Sequence, residues 1–219
     1  MALHFERNEY ASRMERLQEA MRERKLDAVL LFSQESMYWL TGYDTFGFCF
    51  FQSLVVKSDG SMVLLTRSAD LRQARHTSII ENIVVWTDRA DANPAFDLRN
   101  LLSDLGLLGM KIGVEYQTHG LTAANGKRLD EQLNTFAALS DFSGIIDTLR
   151  AVKSSAEIEK VRRAAELGDA ALERAVPLIK AGADEGDILA AMHAAIFEGG
   201  GDYPANEFII GSGPDALLC

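Results

Sequence analysis

The run Trp39-Leu40-Thr41-Gly42-Tyr43-Asp44-Thr45-Phe46-Gly47-Phe48 holds the residue types needed to grip a small molecule. Four aromatics and one carboxylate surround two glycines. Aromatic faces attract cations and apolar groups, and Asp44 would pair with a cationic or hydrogen-bonding group. The candidate substrate-binding residues are therefore Trp39, Tyr43, Asp44 and Phe46. The same composition also describes a hydrophobic loop packed under a sheet edge, and the residues alone leave both readings open.

Other chemistry fits less well. Gly211-x-Gly213-x-x-Ala216 follows an apolar run, as in a dinucleotide-binding turn. Pro214 interrupts it, and only three residues follow Ala216, so no helix can aim its N-terminus at a pyrophosphate. The four histidines, His4, His76, His119 and His193, form no HxxxH, HxH or HExxH pair. A zinc site needs three or four converging ligands, so no metal ligand is assigned. Ser212 lies between two glycines without a sequence-local base, and no GxSxG elbow is present. No catalytic residue is assigned.

The elements that must position these residues follow from periodicity. Tyr10, Met14, Leu17, Ala20 and Met21 recur at helical spacing, which predicts a helix over about 6–25. Asp27–Phe32 reads as a buried strand. Ser33 caps a short helix through Leu40 that Gly42 ends. Phe48–Lys57 and Ser61–Arg67 read as strands joined by the Ser58-Asp59-Gly60 turn. Ser68 caps a helix through about Ile79. Strands are expected at Ile83–Trp86, Lys111–Glu115 and Phe136–Leu139, with helices at 94–106 and 121–133. This alternation predicts an α/β domain whose mixed, largely parallel sheet is flanked by helices.

The texture changes after about residue 144. Ser155–Gly182 is charged and alanine-rich, with an apolar stripe of Ile158, Val161, Ala165, Leu172, Val176 and Ile179. It reads as a helix capped by Ser155 and loosened near Pro177. Asp184, with Asp187 three residues on, starts a second helix through about Phe197. A loop at 198–202 and a strand at Phe208–Ile210 follow. The domains are expected at 1–148 and 149–219.

Hydrophobic residues make up 47% of the 219, enough to enclose a core, so disorder is not expected. The net charge is −10, divided as −4 over residues 1–150 and −6 over 151–219. Neither part would be drawn to phosphate backbones, so nucleic acid and anionic membrane are not expected partners. Two cysteines, Cys49 and Cys219, make no disulfide framework. Cys49 lies in the apolar run 48–51, where cysteine acts as a small hydrophobe. The start lacks a signal-peptide apolar region, and no run is long enough to span a bilayer, so a cytoplasmic location is expected.

Two stretches resemble one family. Trp39-Leu40-Thr41-Gly42-Tyr43 looks like the YLTGF/Y segment of creatinase and prolidase N-terminal domains. Leu149–Ala164, an R-x-x-K followed by E-I and R-x-A, looks like the junction where that family enters its catalytic domain. Gly113-Val114-Glu115, Gly182-x-x-Glu185 and Ser212-Gly213-Pro214-Asp215 match in the same order. The resemblance implies a creatinase-like N-terminal domain followed by the first helices and strand of a pita-bread α/β domain. It also implies a homodimer in which one subunit's N-terminal domain can border its neighbour's active site.

Family members include Xaa-Pro dipeptidases and aminopeptidases, which use two divalent ions (manganese, cobalt or zinc) to activate a water. Creatinase works without metal, and other relatives act on ectoine. The family's metal ligands lie later than the residues matched here, so none is carried onto this chain. The peptidases continue S-G-P-N-x-A-L-P-H, whereas Asp215-Ala216-Leu217-Leu218-Cys219 departs from that pattern. The expected function is thus the N-terminal portion of a C–N bond hydrolase, an Xaa-Pro peptidase or a relative acting on a small amide or amidine such as creatine or ectoine. This segment would frame the substrate pocket and support dimerisation. The departure at 215–219 and the aromatic loop with Asp44 tilt the expectation toward the small amide. The alternative is a binding or dimerisation module without hydrolase activity.

Overall fold

The computed structural model describes residues 3–204 and 206–218. The chain divides into two compact units, Met1–Val152 and Lys153–Cys219. The first holds a six-stranded sheet. Its strands are β1 (Ala28–Leu31), β2 (Ser53–Lys57), β3 (Met62–Arg67), β4 (Ile83–Trp86), β5 (Lys111–Val114) and β6 (Ala138–Asp141), in the spatial order β4-β3-β2-β1-β5-β6. β1–β2 and β2–β3 pair antiparallel; β3–β4, β1–β5 and β5–β6 pair parallel. The mixed sheet expected from the alternation is present.

Helices cover both faces. α4 (Pro94–Asp104) and α5 (Ala123–Leu133) lie on one side, where Leu98, Leu102, Leu129 and Leu133 pack on Leu30, Val55, Leu65 and Ile112. α1 (Arg7–Arg24), α2 (Gln34–Thr41), α3 (Leu71–Thr77) and α6 (Ile145–Ala151) supply the other side. There Leu17, Met21, Leu40, Ala74 and Ile146 pack on Val29, Leu31, Leu54 and Leu64. β1 is buried throughout because both of its faces are covered. That explains its continuous apolar run, which does not alternate.

Local chemistry sets the ends. Asn93 and Thr122 accept hydrogen bonds from Phe96 N and Asn125 N and cap α4 and α5. Gly42 takes φ 82° and ends α2. A buried arginine ties α1 to α2. Arg13 donates to the Trp39 carbonyl at 2.6 Å, pairs with Glu9 at 3.2 Å, and lies 4.3 Å from the Phe5 ring centre. Such a buried cation persists only when paired and hydrogen-bonded. Arg16 donates to the Leu149 carbonyl and so joins α1 to α6.

Several expectations need correction. Residues 48–52 are not strand, because a 3-10 turn at Gly47–Cys49 precedes β2. Cys49 is exposed on that turn instead of buried in an apolar run. α3 begins after Asp70, not Ser68, and the Asp70 side chain is drawn to other partners instead of capping it. α6 was not foreseen; seven residues are too few to display a period.

The second unit is a helical hairpin of α7 (Ser155–Ala175) and α8 (Glu185–Glu198). The α7 cap is Ser154, not Ser155: Ser154 and Glu157 form a reciprocal capping box. Pro177 falls in a 3-10 turn at Val176–Leu178. Asp184 caps α8 through Gly186 N, and Asp187 does not close a box. Phe208–Ile210 is not strand. A strand exists only when paired, and this unit has no other strand among its described residues. Cys219 lies outside the described residues.

Gly120 and Gly126 offer a paired test. A Cβ on Gly120 would lie 2.1 Å from the Phe32 carbonyl oxygen, whereas Gly126, within α5, has its nearest foreign atom at 4.0 Å. Gly120→Ala should lower unfolding stability by roughly 2–3 kcal/mol through overpacking. Gly126→Ala should raise it by about 0.5–1 kcal/mol through helix propensity. Urea unfolding of the two variants checks both signs.

Candidate functional site

The carboxyl ends of β1, β3, β4 and β5 lie together, because these strands run the same way. In open α/β sheets ligands collect at that end. Two buried polar groups organise it.

The first is Glu115, just past β5 and 5% exposed. Its Oε2 accepts from Phe32 N at 2.9 Å and Ser33 N at 2.7 Å; its Oε1 accepts from Ser36 Oγ at 2.5 Å. One carboxylate therefore joins the end of β5 to the end of β1 and the start of α2. Ser33 makes no side-chain cap on α2; its hydroxyl instead donates to Glu35. Burial raises the Glu115 pKa above the ordinary carboxylate value, against the opposing pull of these hydrogen bonds.

The second is a chain of polar contacts beneath residues 43–50. The Tyr43 hydroxyl donates to Gln52 Oε1, which also accepts from Thr66 Oγ1 at 2.7 Å. Gln52 Nε2 donates to the Gly47 carbonyl at 2.7 Å, and Gly47 N donates to Thr45 Oγ1 at 2.9 Å. Thr45 Oγ1 reaches Asp70 Oδ1 at 2.8 Å, and Arg67 Nε donates to Asp70 Oδ2 at 3.0 Å. The Arg67 guanidinium lies 3.4 Å from the Phe50 ring centre. A side chain on Gly47 would strike Asp70 at 2.4 Å, so only glycine fits there. Burial pushes the Tyr43 pKa up to about 12, which keeps its hydroxyl a donor at neutral pH.

This scaffold separates the four proposed binding residues. Trp39 and Tyr43 are buried in the core on the α1/α2 face. Trp39 lies against Arg13 and Arg16. Asp44 is exposed, and its backbone N–H donates to Thr77 Oγ1 at 3.0 Å. Phe46 is 82% exposed and Phe48 52%. The loop thus has a buried root and a displayed aromatic tip. Sequence reasoning missed Gln52, Thr66, Arg67 and Asp70. The available signal was polar residues adjoining apolar strand runs, which must find partners if buried.

Among the described residues no three His, Cys, Asp or Glu side chains gather closely enough to hold a metal ion. They do not fit the two-metal centre that the resemblance implies, and no step is derived through one. Among the described residues no helix is long and apolar enough to cross a membrane.

Comparison with known proteins defines the class. The creatinase/prolidase N-terminal domain model matches residues 13–152, and the metallopeptidase family M24 model matches 159–219. The first match covers more than half of the chain, so this protein belongs to the creatinase/prolidase family.

Particular relatives fall within that class. An ectoine hydrolase from Halomonas elongata is 27% identical over 99% of this chain and 58% of its own length. Among solved structures, an Xaa-Pro dipeptidase from Bacillus anthracis superposes with a TM-score of 0.68 at 21% identity. It is matched by 86% of this chain over 49% of its own. A prolidase from Thermococcus sibiricus gives 0.70 at 18% identity, over 85% of this chain and 49% of its own. At these identities the structures establish the shared fold. The chain spans about half the length of the curated relatives it matches.

Glu115 yields a stability prediction. Glu115→Ala leaves two backbone N–H groups and a serine hydroxyl without an acceptor, and should cost roughly 2–4 kcal/mol. Glu115→Gln can accept both N–H groups and donate to Ser36. A carboxyl with a raised folded pKa holds its proton more tightly in the folded state. Its stabilising contribution is present below the unfolded value, near 4.5, and falls as pH rises through the folded value. Urea unfolding across that window should show the fall in the parent and a flatter profile in Glu115→Gln.

Proposed function

We propose that the chain is the N-terminal portion of a creatinase/prolidase-family hydrolase of C–N bonds. Its substrate is a small amide or amidine of the ectoine or creatine kind, and Xaa-Pro peptides are the competing class. The observation that carries this reading is the ordered match of two family models, one on each unit of the chain. The similarity to an ectoine hydrolase along 99% of the chain supports the small-amide side.

In this reading the first unit supplies substrate framing and dimer contacts, and the protein works in the cytoplasm. Asp44 and Phe46 are the residues of the loop placed to do the framing. Both reach solvent, and the polar contacts from Thr45 to Asp70 hold the backbone between them. An exposed carboxylate beside an exposed ring suits a cationic amidine or a polar amide. The two divalent ions of the peptidase relatives, manganese, cobalt or zinc, belong to the whole-protein reading. No ligand for them is assigned to these residues.

The test uses the product of the intact gene, assayed on ectoine, creatine and an Xaa-Pro dipeptide with and without added manganese. Turnover of a small amide in excess of the dipeptide is expected. No turnover on any of the three would favour a non-catalytic binding module. Asp44→Ala should raise KM roughly three- to tenfold, the loss of one charge-assisted contact, with kcat and metal content unchanged. An unaltered KM on the best substrate would remove Asp44 from the site.

A further inference from the structure

Asp70 stands at the N-cap position of α3, yet its side chain makes no cap. Aspartate is among the residue types best suited to capping, so a local stabilising contact is forgone. Its two carboxylate oxygens serve Thr45 and Arg67 instead. Conflicts between local preference and observed role concentrate at functional or strained sites.

The carboxylate steadies the 44–50 loop in three ways. Its Oδ1 accepts from Thr45 Oγ1 at 2.8 Å. Gln73 Oε1 lies 2.9 Å from the same hydroxyl, but one proton serves one acceptor, and the charged one holds it more strongly. The carboxyl group also lies against Gly47: a Cβ there would meet Asp70 Oδ1, Cγ and Oδ2 at 2.4, 2.8 and 2.8 Å, its three nearest atoms. Oδ2 accepts from Arg67 Nε at 3.0 Å, and the Arg67 guanidinium lies 3.4 Å from the Phe50 ring centre.

This grip sets a register. Thr45 and Gly47 are buried against Asp70, while Asp44, Phe46 and Phe48 are exposed. A slip of one residue would exchange the two sets. Phe46 and Phe48 bury too little apolar area for packing to account for the contacts beneath them. The contacts instead give the side chains at 44 and 46 a fixed outward direction. The Arg67 and Asp70 side chains are only 13% and 5% exposed, so they act through the loop and do not meet a ligand themselves.

We propose that Asp70 is a positioning residue for the substrate pocket. Through Thr45 and Gly47 it selects which residues of 44–48 face outward, and so places Asp44 and Phe46. The inference rests on the reading of those two residues as substrate-framing.

The test measures KM, kcat and urea unfolding on the product of the intact gene with its best substrate. Asp70→Asn puts an amide N–H beside Arg67 Nε, and Thr45→Val removes the hydroxyl at nearly constant shape. Each should raise KM roughly two- to fivefold with kcat unchanged, the scale of one hydrogen bond made less well. Thr45→Ser keeps the hydroxyl and should restore the parent KM. Because Asp70 acts through Asp44, the Asp44→Ala/Asp70→Asn pair should raise KM by less than the product of the single effects. If Asp70→Asn does not fold, Thr45→Val against Thr45→Ser, and the Asp44→Ala/Thr45→Val pair, carry the same comparison. A raised KM in Asp44→Ala with parent KM in Asp70→Asn and Thr45→Val overturns this inference and leaves the substrate-framing reading standing. Multiplicative effects in the double variant also overturn it, because a general structural role would act independently of Asp44. An unaltered KM in Asp44→Ala, or no turnover at all, removes the substrate-framing reading and this inference with it.

Discussion

The junction of β1, β5 and α2 at the carboxyl end of the sheet depends on one buried carboxylate. Glu115 sits where the parallel pair β1–β5 ends, and its two oxygens serve three donors on the β1–α2 connection. A helix N-terminus buried against a sheet needs acceptors for its free N–H groups. Here the acceptor comes from a strand 82 residues away in sequence. α2 is therefore positioned by the sheet and not by its own cap. α2 in turn carries Trp39 into the core and delivers Gly42 and Tyr43 to the loop that follows.

That loop resolves the ambiguity in its own composition. Its aromatics divide by position, with Trp39 and Tyr43 inside and Phe46 and Phe48 outside. Both readings of the run, pocket wall and packed loop, thus apply to different residues. The polar chain from Tyr43 through Gln52, Thr66 and Thr45 to Asp70 makes the division possible. It satisfies the backbone of the turn from below, so exposing phenylalanines above it costs no hydrogen bond. A loop held in this way displays its tip in one conformation, which limits the ordering cost of binding.

The legible parts of the sequence were those with long or uniform periods. α1, β1, β4, α4 and α5 follow from apolar spacing and cap chemistry, and their ends fall within two residues of expectation. The junction at Leu149–Ala164 made the family legible. Much of what failed was decided by partners outside the local window. Asp70 looks like a helix cap by type, yet Thr45 and Arg67 take both its oxygens. Phe208–Ile210 has strand composition without a strand beside it. Glu115 gave no local sign of its partners, because hydrogen bonds across some eighty residues leave no period.

The two units also differ in how far they satisfy their own patterns. The first closes three layers, and both faces of β1 are covered. The second is a single layer of two helices. Among the described residues its buried apolar side chains are Ala171, Ala175, Ile188 and Ala195, mostly small, while Val161, Leu172, Val176 and Ile179 stay more than half exposed. Alanines along the α7–α8 contact let the helices approach closely but bury little area. At ~25 cal/mol per Å² that contact contributes little against the entropy of ordering more than thirty residues. The capping box at Ser154 and the Arg174–Glu198 pair act at the ends and surface of the hairpin and do not change this balance. The apolar stripe read from the sequence is therefore a real amphipathic face, and a hairpin of two helices is too thin to enclose it.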